Sequence, residues 1–461
     1  MPAMHRPGAR GRSSTEVAPG GRGRRRRRVV VLLATALTAA VGASSAQADA
    51  VDEWNDVAAT ITMSPAPAGT GAPVPVAIFD LATVSAAMYD AANAIDRGYA
   101  PFRASPKVHG RASLDAAVAA AARDTLVGLF PAFTSAVDLR YAASLAAIPD
   151  GRAKTEGIAV GQSVAAVLLA DRAGDGRGVD RPEYYVPLPA GAGVWVPVSG
   201  RGVFPWLGHV RPFTLERVDQ FVPGPPPALS SDEYAVAYNE AKDYGRADSA
   251  VRTPAQTNLA LFMTEPPPRQ WNRLARGLTA RFGVDAADRA RLYAMMNVAS
   301  ADAVISCWNA KYGYQTWRPL TAITTSFDDG NAATATDATW TPLRPTPNYA
   351  DYPSGHACVT GASMAVLRHF FGTDRVSFTA NSVSAETPAT GLIDDTLEFE
   401  RFSDVARAVQ DARVYLGIHF RFAQVAGDQV GRRTARWVTH HAFQPRDCRG
   451  GRCRGGCDDR D

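Results

Sequence analysis

Between residues 76 and 97, Ile78, Leu81, Val84, Met88, Ala92 and Ile95 recur every three or four positions. That spacing lines apolar side chains along one face of an α-helix. The same period returns along most of the chain, and it constrains the fold more than any other feature. Leu292, Met295, Met296, Ala299, Ala303, Cys307 and Ala310 form a second stripe after Asp285. Alanine-rich helices are predicted at about 112–130, 134–148 and 153–172, divided by Pro131 and Pro149. Further helices are predicted at about 51–61, 231–244, 254–264, 269–281, 355–372, 402–416 and 422–440. Asp52 and Glu53 suit the first turn of one helix, and Ser231 suits the cap of another. No continuous alternating pattern marks a strand, and only short β-branched pieces such as 194–198 suit a hairpin. The fold class is therefore all-α.

With 461 residues and 46% hydrophobic content, the chain can bury one large core or two medium ones. A Pro/Gly-rich region at 173–229 interrupts the helices, with Gly174, Gly176 and Gly178, several prolines between 187 and 197, and a proline cluster at 223–227. It divides the chain into two helical bundles, 49–229 including the loop region and 230–445. Tyr184, Tyr185, Trp195, Phe204 and Trp206 within it predict packing against the body or over a site, since loops this long are often lids or interfaces.

The formal charge of +4 belongs to the leader. Residues 1–48 hold nine Arg and one Glu, which leaves 40 basic and 44 acidic residues, a net of −4, for the rest. Such a body is no nucleic-acid binder. The leader itself has a basic run at Arg24–Arg28, an apolar run at 29–41 and a small-x-small Ala46-Gln47-Ala48, the features of a secretion signal. No later apolar stretch reads as a membrane span. The mature protein is expected to be soluble and exported. Cys307 and Cys358 fall in apolar helical contexts, whereas Cys448, Cys453 and Cys457 lie in a Gly/Arg-rich tail, 446–461, expected to be disordered. Their spacing matches no zinc site.

Three short motifs in the second half carry chemistry. The first runs from Lys311 to Arg318-Pro319, the second is Pro353-Ser354-Gly355-His356, and the third runs from Arg413 to His419. Lys311, Arg318 and Arg413 supply three cations, and Arg can grip an oxyanion bidentately. Ser354 and Gly355 fall at a predicted helix start, where unpaired N–H groups favour anions and glycine lets the ligand approach the backbone. His356 and His419 add two imidazoles. Together they match a tetrahedral oxyanion, which needs several donors on its equatorial oxygens and one group at each axial end. Gly313 is expected to break the helix between Lys311 and Arg318, and Gly417 to end the helix that carries Arg413.

Lys-x6-Arg-Pro, Pro-Ser-Gly-His and Arg-x5-His in this order resemble the vanadium-dependent haloperoxidase and type 2 phosphatidic acid phosphatase superfamily. Cys307-Trp308-Asn-Ala-Lys311 and Gly417-Ile-His419-Phe-Arg-Phe422 are most similar to its chloroperoxidase-related branch. The N-terminal residues 51–56 and 87–93 resemble secreted bacterial members. The resemblance implies a two-bundle fold of the vanadium chloroperoxidase and acid phosphatase kind. It implies that Lys311, Arg318, Ser354, Gly355 and Arg413 hold a vanadate or phosphate. His419 becomes the vanadium ligand, or the nucleophile of a phosphatase, and His356 the acid–base residue. Two departures stand out. Ala412 occupies the place of a usual Ser before the Arg, and Ala423 that of an Asp four residues past the histidine. Asp428, nine residues on, is too far along a helix to substitute, and Gln424 is displaced by one residue. His419 is therefore expected to lack its orienting carboxylate.

Trp308 and Tyr349 resemble the aromatic positions of a haloperoxidase pocket, with Trp317 a further candidate. The resemblance then implies vanadate as cofactor and hydrogen peroxide with a halide as substrates. A soluble phosphatase acting on a phosphate ester without a cofactor is the alternative, and a non-catalytic oxyanion-binding protein a further one.

Overall fold

The computed structural model describes residues 49–63, 74–383 and 394–446. The leader and residues 447–461 of the tail, with Cys448, Cys453 and Cys457, lie outside the described residues. The first bundle comprises α1 (Ala50–Met63), α2 (Val74–Asp96), α3 (Leu114–Leu129), α4 (Thr134–Ala146) and α5 (Arg152–Arg172). Its close packing follows from alanine and glycine. Ala116 to Ala122 on α3, with Val118 among them, are fully buried. A Cβ on Gly161 of α5 would come within 2.3 Å of the Ala117 carbonyl oxygen, so the two backbones nearly touch. Of the described helices, α2 alone is long and apolar enough to cross a membrane, but most of it is buried in the core.

The second bundle comprises α6 (Asp232–Gly245), α7 (Pro254–Phe262), α8 (Pro267–Arg281), α9 (Ala286–Tyr314), α10 (Pro319–Thr324), α11 (Gly355–Phe371), α12 (Phe402–Tyr415) and α13 (Arg421–His441). Its axis is α9, buried along most of its 29 residues. It packs against α2 on one side and against α11 and α13 on the other. Here too a small residue sets the distance. A Cβ on Gly431 of α13 would lie 2.2 Å from the Cys358 carbonyl oxygen of α11.

Two features differ from the sequence reading. A two-stranded antiparallel ribbon, β1 (Arg375–Asn381) and β2 (Thr396–Arg401), lies between α11 and α12. Val376, Phe378 and Ala380 do alternate with exposed neighbours, but over one short strand, which is too brief to read against the helical background. The 194–198 piece forms no hairpin. Val194 makes a single bridge to Thr316 instead. The ribbon leaves the all-α class intact.

The 173–229 region contains only two short 3-10 turns. It is strapped to the body by buried charge. Asp302 of α9 accepts from the Phe213 and Thr214 N–H groups and the Thr214 hydroxyl at 2.6–2.8 Å. Arg172 of α5 donates to the Arg211 carbonyl and pairs with Asp175. Tyr312 of α9 donates to Val203 O at 2.5 Å. The strap thus packs on the flank of the helix that carries Lys311.

Candidate active site

The chain reaches the site from four directions. Lys311 projects from the last turns of α9. The helix runs straight through Gly313 and stops at Gln315, whose φ of 48° is left-handed and whose N–H caps Lys311 O. The expected break at Gly313 is therefore one residue pair too early. A non-glycine residue takes the left-handed turn, which sequence alone rarely signals. The turn sends Arg318 back as the N-cap of α10, extended before Pro319 as such residues prefer. Ser354 caps α11, its hydroxyl accepting from Ala357 N at 3.5 Å. Gly355 and His356 form the first turn of that helix. Arg413 lies near the end of α12. Gly417, with φ of 73°, turns the chain so that His419 precedes α13.

Every site residue named from the three motifs is brought together by these elements. Lys311 Nζ donates to Ala350 O and Asp351 O, both at 2.9 Å. Arg318 Nε donates to Tyr349 O at 2.6 Å and its Nη1 to Ile418 O at 2.5 Å. Arg413 Nη1 reaches Met263 O at 3.4 Å. All three cations are buried, yet the bonds that hold them go to carbonyl oxygens rather than to charges. Arg318 Nη2 and Arg413 Nε are buried with no hydrogen-bond partner among the described residues. Among the described residues, the one carboxylate paired with Arg318 is Asp351, at 4.0 Å. Three buried cations against a single acid is an excess that an interior tolerates only with a counter-charge.

Titration follows the same imbalance. Burial lowers Lys311 to about 8, with Arg318 adding to the effect, and lowers Arg413 to about 10. Burial, and then the three cations, push His356 and His419 well below their ordinary value. Burial and the cations thus favour the neutral form of both imidazoles in the anion-free protein. A bound oxyanion adds the opposite charge and pulls them back toward the working range.

The donors also sort themselves. Ser354 N–H is spent on Ala423 O at 2.8 Å, so the serine offers its hydroxyl alone, not its amide. Gly355 N–H heads α11, where the helix supplies no acceptor. A Cβ at Gly355 would strike the Trp308 ring at 2.8 Å, so glycine keeps the indole against the backbone.

The principal correction concerns His419. Its Nδ1 lies 2.5 Å from Asp351 Oδ1, with both side chains buried, and Phe420 N–H approaches Asp351 Oδ2 at 3.4 Å. The histidine has an orienting carboxylate after all, contributed by the loop before the second motif rather than by α13. Burial raises Asp351 to about 7, while Arg318 and Lys311 pull it down. Asp428, by contrast, pairs with Arg432 at 3.0 Å. Gln424 is buried with neither amide atom bonded among the described residues. Sequence reasoning missed Asp351 because it looked only downstream of His419. The available signal was a lone acid among apolar and aromatic neighbours, three residues before Ser354.

Beyond His356 opens a small pouch of about 50 Å³ lined by Ile78, Val304, Trp308, Tyr349, Gly355 and Val359, with Val74, Pro75 and Pro267 at its rim. The Trp308 and Tyr349 ring centroids are 5.2 Å apart. Lys311 Nζ lies 5.3 Å from the Tyr349 ring centre and 5.6 Å from that of Trp308. Trp317 is not part of this wall. It is fully buried in a separate cluster with Tyr234 and Phe420. The first bundle contributes through α2, and no residue of the 173–229 strap lines the pouch. A larger cleft of about 740 Å³ near Phe371 shares no residue with the motifs.

The donor set fits a tetrahedral oxyanion such as vanadate or phosphate: three buried cations, two unanswered guanidinium nitrogens, a hydroxyl, a helix-start amide and two neutral imidazoles. Among the described residues no group of three or more His, Cys, Asp or Glu could ligate a bare metal ion. The anion cradle is therefore the way this site would hold a metal, as an oxyanion.

Residues 291–447 match the family described as the VCPO second helical-bundle domain. Vanadium chloroperoxidase from Curvularia inaequalis is 27% identical over 201 residues, 36% of this chain and 32% of that protein. The match thus spans about a third of that relative. The crystal structure titled as the first bacterial vanadium-dependent iodoperoxidase superposes with a TM-score of 0.68 at 25% identity, covering 86% of this chain and 96% of that one. Holo-type bacterial vanadium-dependent chloroperoxidase superposes with a TM-score of 0.68 at 18% identity, covering 83% and 95%. At that identity the second likeness shows the fold alone.

Proposed function

Taking as premise that the chain belongs to the vanadium-dependent haloperoxidase and type 2 phosphatidic acid phosphatase superfamily, we propose that it is an exported haloperoxidase. It would use vanadate and hydrogen peroxide to oxidise bromide or chloride. The observation that carries this reading is the apolar, aromatic-walled pouch that opens on His356 beside an anion cradle. A volume of about 50 Å³ suits an ion or a peroxide. When bound, vanadate would supply the Lewis acidity that activates peroxide toward a halide.

The roles of the chain's own residues follow from their placement. Lys311, Arg318 and Arg413 neutralise the oxyanion's charge, and their carbonyl tethers fix them before the ligand arrives, which lowers reorganisation cost. Asp351 holds a proton on His419 Nδ1, which leaves the Nε2 lone pair for the vanadate. His356, half-buried between cradle and pouch, can take a proton from an entering peroxide and return it to a leaving oxygen. Trp308 and Tyr349 keep the halide's path dry. Export rests on the leader.

A phosphatase is the second reading, because the cradle suits phosphate equally well. His419 would then be the nucleophile and His356 the acid. The motive for a non-catalytic binder was a histidine without an orienting partner, and Asp351 removes it.

The test uses metal-free protein, assayed in parallel for halide oxidation with and without vanadate and for phosphate-ester hydrolysis. Vanadate-dependent halide oxidation supports the proposal. Vanadate-inhibited hydrolysis without halide oxidation replaces it with the phosphatase. Either activity surviving His419→Ala contradicts the assignment of the site.

A further inference from the structure

We propose that Asp351 is the positioning residue of this site and that it couples the three motifs. In the resembled pattern the histidine's carboxylate stands four residues downstream, where this chain has Ala423. Here the carboxylate enters from the opposite side, on the loop between α10 and α11. This rests on the reading of His419 as the vanadate ligand.

Three observations carry it. First, the Asp351 side chain is fully buried and meets His419 Nδ1 at 2.5 Å, so it fixes both the ring plane and the tautomer. Second, its main chain belongs to the cradle. Its carbonyl oxygen accepts from Lys311 Nζ, and its N–H donates to Thr316 O at 2.9 Å, two residues before Arg318. Third, the other acid in reach by sequence is committed elsewhere, since Asp428 pairs with Arg432. One residue thus ties the lysine of the first motif, the entry to the second and the histidine of the third. A carboxylate on α13 would hold the histidine without touching Lys311. Moving it to the loop makes the orientation of His419 depend on the same segment that places the cation.

The consequence separates two anions of equal shape. Vanadate requires the His419 nitrogen, and orienting partners of ligand histidines typically contribute about 10- to 100-fold in affinity. Inorganic phosphate needs no bond to that nitrogen and is held by the cations and donors of the cradle. Removing the acid nearest the three cations leaves the cradle more positive for it.

The experiment is calorimetric titration of the full chain with orthovanadate and, separately, with inorganic phosphate. Asp351→Ala should weaken vanadate about 10- to 100-fold while phosphate binds as tightly as before or more tightly. Asp351→Asn, which keeps the oxygen acceptor without the charge, should fall between Asp351→Ala and wild type for vanadate. Asp351→Ala combined with Ala423→Asp should recover vanadate affinity by restoring the carboxylate from α13. Unchanged vanadate affinity in Asp351→Ala would overturn the proposal. So would equal weakening of both anions with no recovery by Ala423→Asp, which is the mark of a collapsed loop. His419→Ala reports on the premise separately. If it binds vanadate as wild type does, His419 is not the ligand, and the proposal falls with that reading.

Discussion

Asp302, Arg318 and Arg413 are all buried charges, and they are treated in opposite ways. Asp302 collects three donors from the 173–229 strap within 2.8 Å. Its charge is answered locally, and the result is a tethered loop. Arg318 and Arg413 are tethered to carbonyl oxygens, yet each keeps a buried nitrogen with no partner among the described residues. Folding rarely leaves charge unanswered, so the first pattern marks a structural device and the second a ligand site.

The contrast can be broken most forcefully at the arginines. Arg413→Ala should cost vanadate on the order of 10³-fold in affinity, with little loss of folding stability, because it removes an uncompensated buried charge. Thermal melts beside anion titrations check this, and a large stability loss with intact affinity would make the arginine structural. Asp302→Ala should do the reverse. It strands three donors and should destabilise the fold by about 3 kcal/mol, read by denaturant unfolding, while anion affinity stays unchanged.

A smaller effect follows from pH. The folded-state value of Lys311 is depressed, so its charge is present below about 8 and lost above it. Phosphate affinity, measured across that window, should fall as pH rises past about 8, by at most about tenfold per unit. Flat affinity through that range would place Lys311 outside the cradle. The smallest effect belongs to the pouch. Trp308→Phe should change the halide KM by roughly threefold to tenfold with vanadate affinity unaltered.

Much of this was legible in the sequence. The period of α2 and α9 gave their existence, since a 3.6-residue stripe reflects local geometry alone, but both helices are buried on nearly every side rather than along the stripe. The three motifs named residues that the fold brings together, because charge and helix-start chemistry are written in residue types. What stayed hidden depends on how distant segments meet. The left-handed Gln315, rather than Gly313, turns the chain toward Arg318, and no local rule selects it. The alternation of β1 covers too few residues to compete with helical signals on either side. Asp351 is the instructive case. As a residue in a loop it carries no periodicity, and 68 positions separate it from His419. The departure at Ala423 was visible, but its compensation appears only once α10, α11 and α13 are folded around one point.

The central claim is that these buried cations are matched by a tetrahedral oxyanion, and a thermal shift tests it most directly. Metal-free protein should melt at a higher temperature as orthovanadate or phosphate is added. The stabilisation should approach about 2.7 kcal/mol at a hundredfold excess over Kd and vanish in Arg413→Ala. A melting temperature that ignores both anions at millimolar concentration would contradict the account.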